Sequence, residues 1–250
     1  MTTKPQKTPR AGEYDYDRLM EMYPSTAYFK DLVIEDHISS QDRMQQEPHY
    51  TQTATILRHR YHDRRDVLIS VDNFVYYEEN NPRSKLAPDI MVAFDVDPDE
   101  VVKPDSYLMW IVGRPPDFVM EVASKSTWRN DLGSKRDLYA RIGVPELCLL
   151  DPTGGDFYGE TLTLETLVDG EYRRSETRTG DNGALMWHSV KLSLWLYFED
   201  EQLRFYDPVQ GRRLNTFTEE VEAHEVELQA RLDAEAEIVR LREMLRHQSG

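Results

Sequence analysis

Residues 116–152 read PDFVMEVASKSTWRNDLGSKRDLYARIGVPELCLLDP, and this stretch decides the fold. Residues 118–122 are β-prone and apolar at consecutive positions except for Glu121, the pattern of a strand covered on both faces. Residues 130–142 predict a helix, with Ser126, Thr127 and Asn130 available as caps and Gly143 as its stop. Residues 145–150 are apolar again and read as the next strand. A strand, a helix and a strand with little polar surface between them belong inside a mixed α/β sheet flanked by helices.

Working upstream, residues 90–94 form a second doubly covered strand. Residues 66–71 and 74–77 read as a hairpin joined at Asp72-Asn73, and the polar segment 78–85 as a loop. A helix is expected over 49–61, where Ala54, Leu57, Arg58 and Tyr61 keep a three-to-four spacing and Pro48 stands near the start. Downstream, repeated turn residues from 154 to 195 predict an antiparallel meander that serves as packing and periphery. Residues 218–247 lack Gly and Pro and are rich in Glu, Ala, Leu and Arg, so a helix is expected. Within it Ala234, Ile238, Leu241 and Leu245 have the four-three-four spacing of a coiled-coil seam, the basis for expecting a homodimer. Toward Val221 the phase slips and charges interrupt the seam; the alternative is a solvated helix packed on its own domain. The organisation is therefore a loose leader at 1–16, one α/β domain at 17–215 and a helical tail at 216–250.

The chain has 250 residues, enough for one sizeable core without disulfides. Its single cysteine, Cys148, lies in an apolar run where it packs as a small hydrophobe. No apolar run approaches the length of a spanning helix and no signal region opens the chain, so a cytoplasmic protein without membrane contact is expected. The net charge of −16 opposes nucleic-acid binding as a bulk property. The tail carries −5 of this and the remainder −11. Basic residues nevertheless crowd locally, Arg58, Arg60, Arg64 and Arg65 with His59 and His62, and again Lys125, Arg129, Lys135, Arg136 and Arg141. Such clusters are either phosphate-facing patches or solvated helix faces.

Three residues carry the chemistry. Glu121 shares a strand face with Val119 in apolar surroundings, and a buried carboxylate demands a cation, a metal or a proton. On a helical wheel at about 100° per residue, Lys135 falls inside the stripe made by Leu132, Leu138, Tyr139 and Ile142, which aims its ammonium inward. Asp131, one turn earlier, is a possible local partner for it. Asp89 follows Pro88 and opens the strand 90–94, so its carboxylate stands at a strand end. Two acids and an inward lysine suit a divalent cation with a lysine that positions water. No phosphate-cradling glycine loop, zinc-spaced Cys/His cluster or nucleophile elbow competes with this set.

The blocks LAPDIMVAFDV (86–96) and 116–152 resemble the Uma-two family of endonucleases, a branch of the PD-(D/E)xK nuclease superfamily, over roughly residues 35–210. The resemblance implies the restriction endonuclease-like fold and a phosphodiester substrate, with DNA as the expected nucleic acid. It implies Mg²⁺ or Mn²⁺ as cofactor, with Asp89, Glu121 and Lys135 as the catalytic set. In that reading Asp89, Glu121 and the Val122 carbonyl hold the metal, supported by Ser124, Asp131 and Tyr139. Two departures stand out. The superfamily's usual lysine position, two residues after the second acid, holds Ala123, so Lys135 must reach back from the helix; and Glu146-Leu147-Cys148 replaces the family's Glu-Tyr-Trp. The competing expectation is a catalytically inactive nuclease-shaped module that assembles through its C-terminal helix.

Overall fold

The computed structural model describes residues 14–25 and 40–248. Residues 1–13 of the expected leader lie outside them. The first described helix, α1 (Tyr16–Met22), is capped by Asp15, whose side chain accepts from the Arg18 N–H. Helix α2 (Ser40–Arg60) follows. The strands, in chain order, are β1 (Val67–Val71), β2 (Val75–Tyr76), β3 (Lys85–Leu86), β4 (Ile90–Phe94), β5 (Tyr107–Leu108), β6 (Phe118–Val122), β7 (Glu146–Leu150), β8 (Leu162–Val168), β9 (Glu171–Arg174), β10 (Thr177–Thr179), β11 (Leu185–Ser189), β12 (Leu194–Glu199), β13 (Gln202–Asp207) and β14 (Arg212–Arg213). Helix α3 (Arg136–Ile142) lies between β6 and β7, and α4 (Phe217–Gln248) follows β14.

The central sheet has the order β1-β4-β6-β7-β8-β9. Its one parallel pair is β6 with β7, as the intervening helical segment requires, since parallel neighbours need a long crossover. β4, β6 and β7 are buried at every position, which is why their sequences show no alternation. On one face Ile90, Val92, Phe118, Met120, Val122, Cys148 and Leu150 pack with Tyr50, Ala54 and Leu57 of α2. On the other, Met91, Ala93, Val119, Leu147 and Leu149 pack with Tyr139 of α3. Each fully buried side chain of this kind contributes about 1.5–3 kcal/mol, so the two clusters clamp the sheet between helices.

Four expectations need correction. β1 does not form a hairpin with β2: it pairs antiparallel with β4, while β2 joins β3 and β5 in a separate three-stranded sheet. A type I′ turn needs positive φ at both central residues, and only Asp72 has it, at 45°. The Asp72 N–H instead continues the β1–β4 ladder to the Asp89 carbonyl at 3.0 Å. Helix α2 begins at Ser40, not beside residue 49, and carries Pro48 inside it. The lost helical hydrogen bond is tolerated because the stripe of Gln46, Tyr50, Ala54 and Leu57 is buried on the sheet side.

The expected helix over 130–142 is not continuous. A short helical turn at Trp128–Asn130 is separated from α3 by a kink within Asp131–Lys135, where Gly133 leaves the helical region with φ −111° and ψ −109°. Finally, the meander is not peripheral. β8 and β9 widen the central sheet, and β10–β14 form a five-stranded antiparallel sheet whose Trp187, Leu194, Leu196, Leu203 and Phe205 enter the same core as α2.

The chain divides into two compact units at Leu214/Asn215. In the second, Thr216 and Glu219 form a reciprocal capping box: the Thr216 N–H donates to Glu219 Oε2 at 2.7 Å, and the Glu219 N–H to Thr216 Oγ1 at 3.2 Å. α4 then runs for 32 residues. Among the described residues no helix is long and apolar enough to cross a membrane.

Candidate functional site

β4 and β6 pair Ile90 with Met120. Continuing that register by one residue puts Asp89 opposite Glu121, on the sheet face that α3 covers. Glu121 is 2% exposed, which is the anomaly its sequence surroundings foretold. Three acceptors surround the Lys135 ammonium: Glu121 Oε2 at 2.6 Å, the Ala87 carbonyl at 3.0 Å and Asp131 Oδ1 at 3.6 Å. The structure therefore brings Lys135 and Glu121 into direct contact. Asp89 joins through the backbone, because its Oδ2 accepts the Val122 N–H at 2.6 Å.

The supporting residues are tied to this group in two ways. Tyr139 donates its hydroxyl to Glu121 Oε1 at 2.5 Å. Asp131 is as buried as Glu121; its Oδ2 accepts from Thr127 Oγ1 at 3.0 Å and from the Tyr158 hydroxyl at 2.8 Å, while Oδ1 has no hydrogen-bond partner among the described residues. Ser124 reaches Asp131 only through Thr127, at 2.8 Å between the hydroxyls. Asp131 and Lys135 stand on either side of a kink at Gly133 and approach each other to 3.6 Å, while Leu132 between them emerges partly to solvent at 36% exposure.

Burial dominates the electrostatics. It pushes the Asp89 carboxyl up to about 7 and the Glu121 carboxyl up to about 8, against the pull of Lys135 in both cases. Burial acts to lower Lys135, but Glu121, Asp131 and Asp89 outweigh it and the ammonium is held above its ordinary value. Burial and the neighbouring Glu121 raise the Tyr139 phenol well above its own. Three interior carboxyl groups share one ammonium. When all three are ionised, two negative charges are left uncompensated, and a divalent cation supplies that amount. The hard oxygens of Asp89, Glu121 and the Val122 carbonyl are the right donor type for Mg²⁺ or Mn²⁺. Among the described residues no three His, Cys, Asp or Glu side chains converge as a metal cluster.

Two residues at the site escaped sequence reading. Gln46, 4% exposed, donates its side-chain N–H to the Val122 carbonyl from α2. Its signal was a polar residue at a stripe position four before Tyr50, masked by the expected helix start at 49. Tyr158 is carried over Asp131 by a turn in which Asp151 Oδ2 accepts the N–H groups of Phe157 and Tyr158, both at 2.8 Å; no periodicity announces such a loop. Part of each basic cluster is engaged within the chain. Arg60 pairs with Asp207, Arg64 with Asp66 and Asp95, Arg136 with Glu165, and Arg58 donates to the Ile69 carbonyl.

Comparison with known proteins gives a match to one family model, Uma2, described as "Putative restriction endonuclease", over residues 34–198. No curated protein matches the chain. A solved chain from Anabaena variabilis ATCC 29413, described as a "putative nuclease belonging to DUF820", aligns with 12% identity and a TM-score of 0.37, over 52% of this chain and 66% of its own. The chain thus spans just under two thirds of that protein's length.

Proposed function

This chain belongs to the Uma2 restriction endonuclease family, and from that premise we propose that it is a cytoplasmic, metal-dependent endonuclease that hydrolyses phosphodiester bonds in DNA. The nuclease-like fold follows from the family; the substrate, the metal and the residue roles are our reading. The observation that carries it is the ammonium of Lys135 held 2.6 Å from Glu121, an interior acid that stands across the sheet from Asp89.

Asp89, Glu121 and the Val122 carbonyl would hold Mg²⁺ or Mn²⁺. Such an ion, when bound, lowers the pKa of coordinated water and neutralises charge on a phosphoryl oxygen. Asp89 has a second task, because accepting the Val122 N–H holds the amino side of the residue whose carbonyl is in the donor set. Tyr139 fixes one oxygen of Glu121 by donating to it, leaving the other toward Lys135. Lys135 is the one cationic side chain of the group, and its place is to orient the attacking water and stabilise negative charge developing at phosphorus. Asp131, steadied by Thr127 and Tyr158, gives the ammonium a second anionic neighbour.

A Mg²⁺-dependent plasmid-nicking assay tests this. Glu121→Ala and Lys135→Ala are each expected to lower cleavage about 10²–10³-fold, the usual cost of removing a group that stabilises developing charge. Cleavage unaltered by both substitutions rules out these roles.

A second reading has its own observation. α4 exposes Leu228, Leu232 and Ile238, apolar side chains that a second copy of the helix would cover. In that reading the protein is a nuclease-shaped assembly module without turnover. Calorimetry separates the two, since the module binds no Mn²⁺ that depends on Asp89 and Glu121.

A further inference from the structure

Gln46 is the only buried residue between Met44 and His49, with exposed neighbours on both sides. It stands at the head of the stripe that continues through Tyr50, Ala54 and Leu57 into the core. An apolar side chain would fill that position at no polar cost, whereas a buried carboxamide must be hydrogen-bonded. Its N–H meets the Val122 carbonyl, 76 residues away in sequence. Val122 is consequently held on both sides, by Asp89 at the N–H of its peptide with Glu121 and by Gln46 at the carbonyl of its peptide with Ala123.

A carboxamide has a donor end and an acceptor end of nearly equal shape, so a half-turn about its last bond exchanges N–H for oxygen. We infer that Gln46 is a further ligand residue of this site. Without a cation its Nε2 satisfies the carbonyl; toward a divalent cation held at Asp89, Glu121 and Val122 it turns and presents Oε1. The inference rests on the metal reading above and adds to it an oxygen from a helix outside the Asp89–Lys135 segment. It also gives the buried amide a reason that packing alone does not, because the same side chain serves the empty and the loaded site.

The test is calorimetric titration of the full chain with Mn²⁺ at fixed pH, for the natural protein and for Asp89→Asn, Gln46→Met and Gln46→Glu. Gln46→Met keeps the length of the side chain and removes both polar ends, and is expected to weaken binding about tenfold or more, the scale of supporting residues at metal sites. Gln46→Glu has no N–H to donate at neutral pH but offers an anionic oxygen, and is expected to bind at least as tightly as the natural protein. That variant decides the matter even if Gln46→Met fails to fold. A hydrogen-bond clamp on the carbonyl would make Gln46→Glu weaker than the natural protein, and that result overturns the inference, as does natural affinity in a folded Gln46→Met. If the natural protein shows no Mn²⁺ binding sensitive to Asp89→Asn, the metal reading itself fails. Binding that depends on Asp89 but is indifferent to Gln46 removes only the present inference.

Discussion

Lys135 Nζ lies 2.6 Å from Glu121 Oε2, with 19% of the lysine side chain and 2% of the glutamate exposed. Removing one partner of so buried a pair leaves the other charge stranded, at a cost of about 3–5 kcal/mol. Lys135→Met is therefore expected to lower the free energy of unfolding by that order in a urea titration near pH 8. The double variant Glu121→Gln/Lys135→Met, which strands neither charge, is expected to recover most of the loss. Additive losses in the double variant would contradict a coupled pair.

The raised carboxyls predict an unusual pH dependence in the metal-free protein. Asp89 and Glu121 have folded values near 7 and 8, above those of an unfolded chain near 4. Between these limits the folded state binds more protons than the unfolded state, so stability falls as pH rises from about 4 to about 8. The thermal midpoint of the metal-free protein should decline across that window more steeply than that of Glu121→Gln. Mn²⁺, favouring the ionised carboxylates, should flatten the decline. Parallel profiles for the two proteins would mean that Glu121 is ordinary in its titration.

The two tyrosines separate a sole donor from a shared one. Tyr139 supplies the only hydroxyl bonded to Glu121 Oε1 among the described residues, whereas Tyr158 shares Asp131 Oδ2 with Thr127. Tyr139→Phe leaves a buried oxygen without its donor and is expected to cost about 1–3 kcal/mol; Tyr158→Phe is expected to cost about 0.5–1.5. Denaturant midpoints measured side by side check the order, and a larger loss for Tyr158→Phe would reverse the argument.

How much of this was legible beforehand depended on the range of the interactions. β4, β6 and β7 announced themselves because a strand buried on both faces must be apolar at every position, and Glu121 stood out against that background for the same reason. The strand pairing of β1 was not legible, since Asp72-Asn73 looks locally like a turn and only the ladder to β4 shows otherwise. Lys135 gives the most instructive case. A wheel centred on Leu132 aimed the lysine inward, yet Leu132 is partly exposed and the kink at Gly133 breaks the assumed 100° step. The inward direction is thus set by carboxylates across the sheet, not by the stripe. Gln46 and Tyr158 reach the site across 76 and 27 residues respectively, through side-chain bonds that leave no periodic trace.

The tail yields the last prediction. A helix of 32 residues is about 48 Å long. Its capping box and the Arg231–Glu235 pair at 3.0 Å support it locally, but such contributions amount to only about 0.3–1.5 kcal/mol each, and helical stability in proteins comes mainly from packing an apolar face. Val226 is 71% exposed, and Leu228, Leu232 and Ile238 about half. A second copy of the same helix would cover part of that surface. Deleting residues 216–250 is therefore expected to halve the mass seen by light scattering while leaving the thermal midpoint of the α/β unit within a few degrees, on the scale of about 2–4 °C per kcal/mol for a domain of this size. Leu228→Glu/Leu232→Glu in the full chain should have the same effect on mass without removing the helix, which circular dichroism would verify. An unchanged mass in both proteins would assign the tail to something other than self-association.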